Sequence, residues 1–308
     1  AVVALINNRI GTLSAATAFG KSVVAANIIA ERKTNTLILV HTKALMEQWQ
    51  SLLNKFLTIE CDAPIEKPRR GRKRIWSPIG CVGSGKDRRS GLIDIAIMQS
   101  LTDGDSVKEW VRDYGMVIVD ECHHLSAFSF ERIMRFANAR YVYGLTATPI
   151  RKDGHQPIIF MQCGAIRHSV IANSTTAYER ILTPRFITSK RRTEDNESYT
   201  ATIRRLAEDR VRNELIVRDA VDAINRGRTP IILTALTSHT ECLCEMLKPY
   251  CKNVVKLVGA DSAKQKRLAM EQMRAVEANE DMVIVATGRY VGEGFDLPRL
   301  DTLFLALP

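Results

Sequence analysis

The chain lacks any apolar run approaching the roughly 20 residues that a membrane-spanning helix needs. It opens on Ala1-Val2-Val3-Ala4-Leu5-Ile6, too short for the apolar core of a secretory leader and without a basic start. Paired cysteines with metal-ligand spacing are also missing. The seven cysteines stand at 61, 81, 122, 163, 242, 244 and 251. Cys242 and Cys244 are two apart in a predicted helix, so they point to different faces, and no second pair completes a zinc site with them or with Cys251. An odd count without a leader reads as the reduced thiols of a cytoplasmic protein, with Cys122 a packing residue rather than a nucleophile. Acidic residues are in deficit. There are 34 Asp and Glu against 44 Lys and Arg, a net charge of +10 that favours a polyanionic partner. No internal repeat is visible. What remains is ordinary globular composition, 45% apolar over 308 residues, enough for about two domains with their own cores.

Three short stretches carry chemistry. The first is Ala15-Ala16-Thr17-Ala18-Phe19-Gly20-Lys21-Ser22, preceded by small residues of a predicted strand and followed by an apolar run that suits a buried helix. Strand, small-residue loop, Gly-Lys-Ser and helix make the context of a phosphate loop, in which amides and the helix N-terminus face phosphate oxygens. Lys21 would reach the β- and γ-phosphates and the Ser22 hydroxyl would hold Mg²⁺. The second is Asp120-Glu121 at the end of the apolar run Met116-Val117-Ile118-Val119, where ligands of parallel sheets bind. Asp120 is suited to Mg²⁺ and Glu121 to deprotonating an attacking water. The third is Thr146-Ala147-Thr148 after another apolar run. A competing match, Gly80-Cys81-Val82-Gly83-Ser84-Gly85-Lys86-Asp87, has better glycine and lysine spacing. It fails because Asp87 stands where a hydroxyl must bind metal, and it reads as a flexible basic loop.

With these stretches in order, the chain resembles superfamily II helicases or translocases of the DExH-box type. Their first motif runs Ala-x-Thr-Gly-x-Gly-Lys-Thr/Ser. Ala15, Thr17, Gly20, Lys21 and Ser22 match it, while Ala18 replaces the usual glycine. Leu37–Thr42 with Leu45, Gln48 and Trp49 resembles the motif that touches the nucleic-acid backbone, and Ile95–Leu101 resembles the next such element. Gly144–Pro149 resembles the motif coupling the nucleotide site to the second domain. Ile231–Thr234 with His239 resembles the start of that domain. Val283–Gly288 and Gly292-Glu293-Gly294-Phe295-Asp296 resemble the motif that meets nucleic acid and nucleotide together. The Glu-Gly-Phe-Asp-Leu-Pro wording is similar to the excision-repair and restriction-type branch, and the Thr-Ala-Phe-Gly-Lys and Met-Gln-Ser-Leu wording to helicases of mobile-element conflict systems.

The resemblance implies two RecA-like lobes, each a parallel sheet flanked by helices, with ATP and Mg²⁺ in the cleft between them. It implies nucleotide contacts from Thr17, Gly20, Lys21, Ser22, Gly294 and Asp296, and coupling through His123, Thr146 and Thr148. It implies a grip on nucleic acid, DNA rather than RNA, by Thr42, Gln99 and Thr287. The family's arginine-rich final motif, which supplies an arginine finger, does not occur before Pro308. The expectation is therefore a piece of a larger polypeptide with further domains. It either hydrolyses ATP or binds ATP and DNA without turnover. A small-molecule kinase is the rival from metabolism, and the Glu-Gly-Phe-Asp motif in a second α/β unit argues against it.

The predicted organisation is a first lobe over 1–175 and a second over 176–308, joined within a polar stretch at 172–200. Alternating apolar strands and helices up to about residue 150 predict a parallel sheet. Leu206, Val211, Leu215, Val221 and Ile224 are spaced for one amphipathic helix over 203–224, with Gly227 as its stop. Strands are expected at 231–234, 254–258, 283–286 and 302–306. Residues 62–90 read as an insertion, rich in Lys67, Arg69, Arg70, Arg72, Lys73 and Arg74, with Lys86, Arg88 and Arg89 following. Such a run is either a phosphate-backbone contact or a solvated loop.

Overall fold

A computed structural model describes residues 1–16, 19–61, 76–122, 127–147, 156–170, 179, 181–187, 198–259, 261–288, 291, 295 and 297–307. The chain divides into two compact units, Ala1–Glu179 and Arg180–Pro308. The first unit runs α1 (Val2–Ile6), β1 (Ile10–Ala15), α2 (Lys21–Arg32), β2 (Thr36–Val40), α3 (Lys43–Phe56), β3 (Ile79–Gly83), β4 (Lys86–Arg88), β5 (Ile93–Ile97), β6 (Thr102–Asp103), β7 (Ser106–Val107), β8 (Met116–Val119), α4 (Ala127–Phe136), β9 (Tyr141–Thr146), α5 (Gln156–Cys163) and β10 (Ile166–Val170). Its main sheet has the order β10-β1-β9-β8-β2-β5-β3-β4, parallel except for the β3–β4 hairpin. Register aligns the carboxyl ends: Ser14 lies opposite Thr146, Leu39 opposite Val119, and Val40 opposite Ile97.

The strands are apolar throughout because both faces of the sheet are covered, and the two-residue period sorts their side chains. Ile38 and Val40 of β2, Ile95 and Ile97 of β5, and Met116 and Ile118 of β8 pack with α2 and α3. Leu37, Leu39, Ala96, Val117 and Val119 face the other way, towards α4 and α5. Continuing the alternation past Ile118 turns the next even residue, Asp120, to the face occupied by α2 and α3. That parity sets up the site.

Two expectations are corrected here. Ile79–Gly83 is a strand of the main sheet, parallel to β5, so 62–90 is not one insertion. Within the described part Ile79 and Val82 are buried in the core while residues 84–89 are exposed, and residues 62–75 lie outside the described residues. Nor is 80–87 a loop: it is most of a hairpin, turned by Ser84 and Gly85 at φ 52° and 75°, as a two-residue turn requires. Gly80 is there for close approach. A Cβ on it would fall 1.9 Å from Asp94 Oδ1. Asp94 is fully buried and accepts from Ser90 N (2.7 Å), Gly91 N (2.8 Å) and the Tyr114 hydroxyl (2.5 Å), which locks the hairpin's return to β5.

The second unit contains α6 (Tyr199–Glu208), α7 (Arg210–Asn225), β11 (Pro230–Thr234), α8 (Thr237–Leu247), β12 (Asn253–Leu257), α9 (Ala263–Ala275), β13 (Met282–Thr287) and β14 (Thr302–Leu305). Its sheet is parallel, in the order β12-β13-β11-β14. Ile232, Val283 and Val285 pack on α7 and α8, while Ile231, Ile284 and Ala286 face α9. The single helix expected over 203–224 is two. The chain breaks at Asp209, whose side chain accepts from Arg212 N at 3.1 Å and caps α7. At the carboxyl end of β11, His239 of α8 bridges Thr234 Oγ1 (2.7 Å) and Asn213 Oδ1 (2.9 Å), all three buried. Among the described residues, no helix is long and apolar enough to cross a membrane.

Candidate active site

The carboxyl edge of the first sheet brings the sequence-predicted residues of this unit into a row. Lys21 opens α2 after β1, Thr146 ends β9, Asp120 and Glu121 follow β8, Thr42 follows β2, and Gln99 follows β5. β1 and β8 are separated only by β9, a span of about 10 Å that a lysine side chain and a glutamate together bridge. Gly20 makes the turn into α2 at φ 89°, in the left-handed region, with its nearest would-be Cβ contact 4.0 Å away. Conformation, not space, therefore demands glycine here. The turn aims the helix N-terminus at the sheet edge and sends Lys21 inward. Ser22 is the second helical residue and half-buried.

Lys21 is buried. Its Nζ donates to Ala15 O at 3.2 Å and lies 3.3 Å from Glu121 Oε1. Asp120 is 5% exposed, and its backbone N–H extends the ladder to Leu39 O at 3.0 Å. Burial pushes its carboxyl up to about 6, against the opposing effect of a hydrogen bond from Trp49, with the Glu121 charge raising it further. Its two oxygens are held separately: Oδ1 accepts from Glu121 N at 3.0 Å and Oδ2 from Trp49 Nε1 at 2.6 Å. Glu121 adopts φ 44°, a region uncommon for residues other than glycine, and this turns its side chain back towards Lys21. Cys122 is fully buried in the α4 and α5 face and burial raises its thiol pKa well above the usual range, so it is no nucleophile at neutral pH.

Thr42 caps α3, its Oγ1 accepting from Leu45 N at 3.2 Å. Gln99 is exposed at the same edge. Thr146 is fully buried. Thr287 ends β13 in the second unit, with Oγ1 accepting from Gly259 N at 3.3 Å. Thr17, His123, Thr148, Gly294 and Asp296 lie outside the described residues. The sequence reading placed Trp49 only in a backbone-touching motif and missed its bond to Asp120. The available signal was the indole itself, since a buried tryptophan N–H needs an acceptor.

Chemically, the edge pairs a buried ammonium and a helix N-terminus, which suit an anion, with a buried carboxylate whose charge is under-compensated, which suits a cation. A polyphosphate with a divalent metal fits that donor set.

Comparison with known proteins gives the same direction. Residues 2–151 match the family described as type III restriction enzyme, res subunit. The chain is 25% identical over 305 residues to transcript termination protein A18 of fowlpox virus (strain NVSL), covering 96% of this chain and 62% of that protein. Over 166 residues it is 29% identical to the DNA 3'-5' translocase XPB2 of Sulfurisphaera tokodaii, covering 54% of this chain and 33% of that one. The chain thus spans less than two thirds of either relative. Its fold is similar to the helicase domain of Pyrococcus furiosus Hef, with a TM-score of 0.59 at 14% identity over 100% of this chain and 88% of that one.

Proposed function

We propose that the chain is an ATP-driven translocase or helicase of superfamily II acting on DNA, in the excision-repair and restriction-type branch, a reading supported by the family match over residues 2–151 and by the helicase and translocase relatives. The observation that carries the reading is the Lys21–Glu121 pair at 3.3 Å beside the buried Asp120, at the carboxyl ends of β1 and β8. In this reading residues 1–175 and 176–308 are the two lobes of a cytoplasmic motor that carries further domains.

Ser22 and Asp120 would hold Mg²⁺, which supplies charge neutralisation on the phosphates. Gly20 and Thr17 are further nucleotide contacts in this reading. Lys21 is drawn from Glu121 to the β- and γ-phosphates, where the negative charge is greater. That exchange leaves the Glu121 carboxylate to accept a proton from the attacking water. The pair therefore keeps the base occupied until a polyphosphate arrives. His123, Thr146 and Thr148 relay the nucleotide state, and Gly294 and Asp296 contribute from the second lobe. Thr42, Gln99 and Thr287 grip the nucleic-acid backbone. The net charge of +10 supports a polyanionic track, and the similarity to a DNA translocase supports DNA rather than RNA.

The test is steady-state ATP turnover titrated with single-stranded DNA, duplex DNA and single-stranded RNA of equal length. Stimulation by either DNA and not by RNA is the expected result. Stimulation by RNA alone would overturn the substrate assignment.

A further inference from the structure

Trp49 is 1% exposed, and its indole N–H donates to Asp120 Oδ2 at 2.6 Å, 71 residues away in sequence. Such a bond is short for a nitrogen donor and is charge-assisted when the acid is ionised. With Oδ1 accepting from Glu121 N, both oxygens of Asp120 carry one donor each, which fixes the plane of the carboxylate. Each oxygen keeps a lone pair for a further partner. Lys21 does not do this work, since its ammonium is placed against Ala15 O and Glu121.

The donor's location matters as much as its distance. Trp49 sits on α3, whose first residue follows the cap Thr42 at the carboxyl end of β2. Seven residues of helix, about two turns or roughly 10 Å, separate the two. Leu45, Met46 and Leu53 pack the same helix onto the sheet beside α2, so it is held as a rigid strut. A displacement at its amino end therefore reaches the indole and, through it, the acid.

Resting on the nucleotide reading above, we propose that Trp49 is a positioning residue that presets Asp120 for a divalent cation and ties that acid to the helix carrying the nucleic-acid edge. Loss of a partner that orients a metal-binding carboxylate weakens metal affinity by about tenfold or more. Nucleic acid bound at the α3 end should tighten metal–nucleotide binding, and the effect should be reciprocal.

The experiment uses the whole chain and a fluorescent ATP analogue. Its affinity is measured in EDTA and across a Mg²⁺ titration, with and without single-stranded DNA, in the wild type and in Trp49→Phe. A second protein guards against a packing defect. It carries Trp76→Phe and Trp110→Phe and has benzothienylalanine, which replaces the indole N–H by sulfur at nearly the same volume, at position 49. Expected in both variants is an unchanged affinity in EDTA, a Mg²⁺ half-point raised about tenfold, and a smaller tightening by DNA. A role in packing alone would lower the EDTA affinity of Trp49→Phe and leave the sulfur analogue like the wild type, which overturns the proposal. Equal Mg²⁺ half-points in all proteins overturn it too. A wild type that binds the analogue without any Mg²⁺ dependence would overturn the metal–nucleotide reading itself and the proposal with it.

Discussion

Acid should weaken the second unit through His239, and the hydrogen bonds fix the sign. Asn213 Nδ2 donates to Ala207 O at 2.7 Å, so Asn213 Oδ1 faces the ring and His239 Nε2, at 2.9 Å, must carry the proton. Nδ1 then accepts from the Thr234 hydroxyl at 2.7 Å, and the neutral ring uses both nitrogens. Burial, reinforced by the Arg212 charge, holds the imidazole down at about 4 against an ordinary 6.5. A proton thus binds the unfolded unit more tightly. The contribution is whole above pH 6.5 and is lost as pH falls through about 4. The full shift has a ceiling of about 3 kcal/mol. On protonation Nδ1–H can donate to Thr234 Oγ1 once that hydroxyl turns its hydrogen away, and solvent screens the Arg212 charge, so about 2 kcal/mol is the expected loss between about pH 7.5 and about pH 4.5. His239→Phe keeps a ring but orphans Thr234 Oγ1 and Asn213 Oδ1, costing about 2–5 kcal/mol near neutrality. Trp49, Trp76 and Trp110 all lie in the first unit, so indole fluorescence is blind to this event. The assay is a urea titration read by hydrogen exchange of β11 and α8 peptides. The stability gap between wild type and His239→Phe should shrink by about 2 kcal/mol on acidification. A gap that stays constant or widens would refute the reasoning.

Gly20→Ala should cost about 1–2 kcal/mol through its φ of 89° alone, since space is open, and weaken nucleotide binding; thermal melts and analogue titration check both. Gly80→Ala should cost about 3 kcal/mol or more, because the new Cβ meets Asp94 Oδ1 at 1.9 Å and Arg88 O at 2.5 Å; tryptophan fluorescence in urea reads this unit. Lys86→Ala and Arg88→Ala should each flatten the salt dependence of DNA binding by roughly 0.9 in log–log slope if the hairpin tracks phosphates. Arg89→Ala should instead lower stability, since Arg89 is engaged with Asp87 at 2.9 Å and lies 4.4 Å from the centre of the Trp110 ring.

The strands were legible wherever a continuous apolar run announced burial on both faces, as at 116–119 and 282–287. The Gly20-Lys21-Ser22 turn and the Asp120-Glu121 pair could be picked out as candidates because each is local in sequence. β3 was not, since Gly80 and Gly83 imitate a flexible loop. Their reason for being glycine is the approach of Asp94 and Ile97, which only the folded sheet reveals. The break at Asp209 was hidden because apolar spacing carries on across it. Its one signal was an aspartate able to cap. The Trp49–Asp120 bond depends on β2 lying beside β8, a neighbour relation between strands distant in sequence.

The central claim is most directly tested by comparing wild type with Glu121→Gln for ATP binding and for ATP turnover on DNA. The account predicts that the variant binds ATP as well as the wild type or better, because Lys21 loses a competing carboxylate, while DNA-stimulated turnover present in the wild type disappears. Turnover in the variant equal to that of the wild type would contradict the assignment of Glu121 as the base and, with it, this reading of the site.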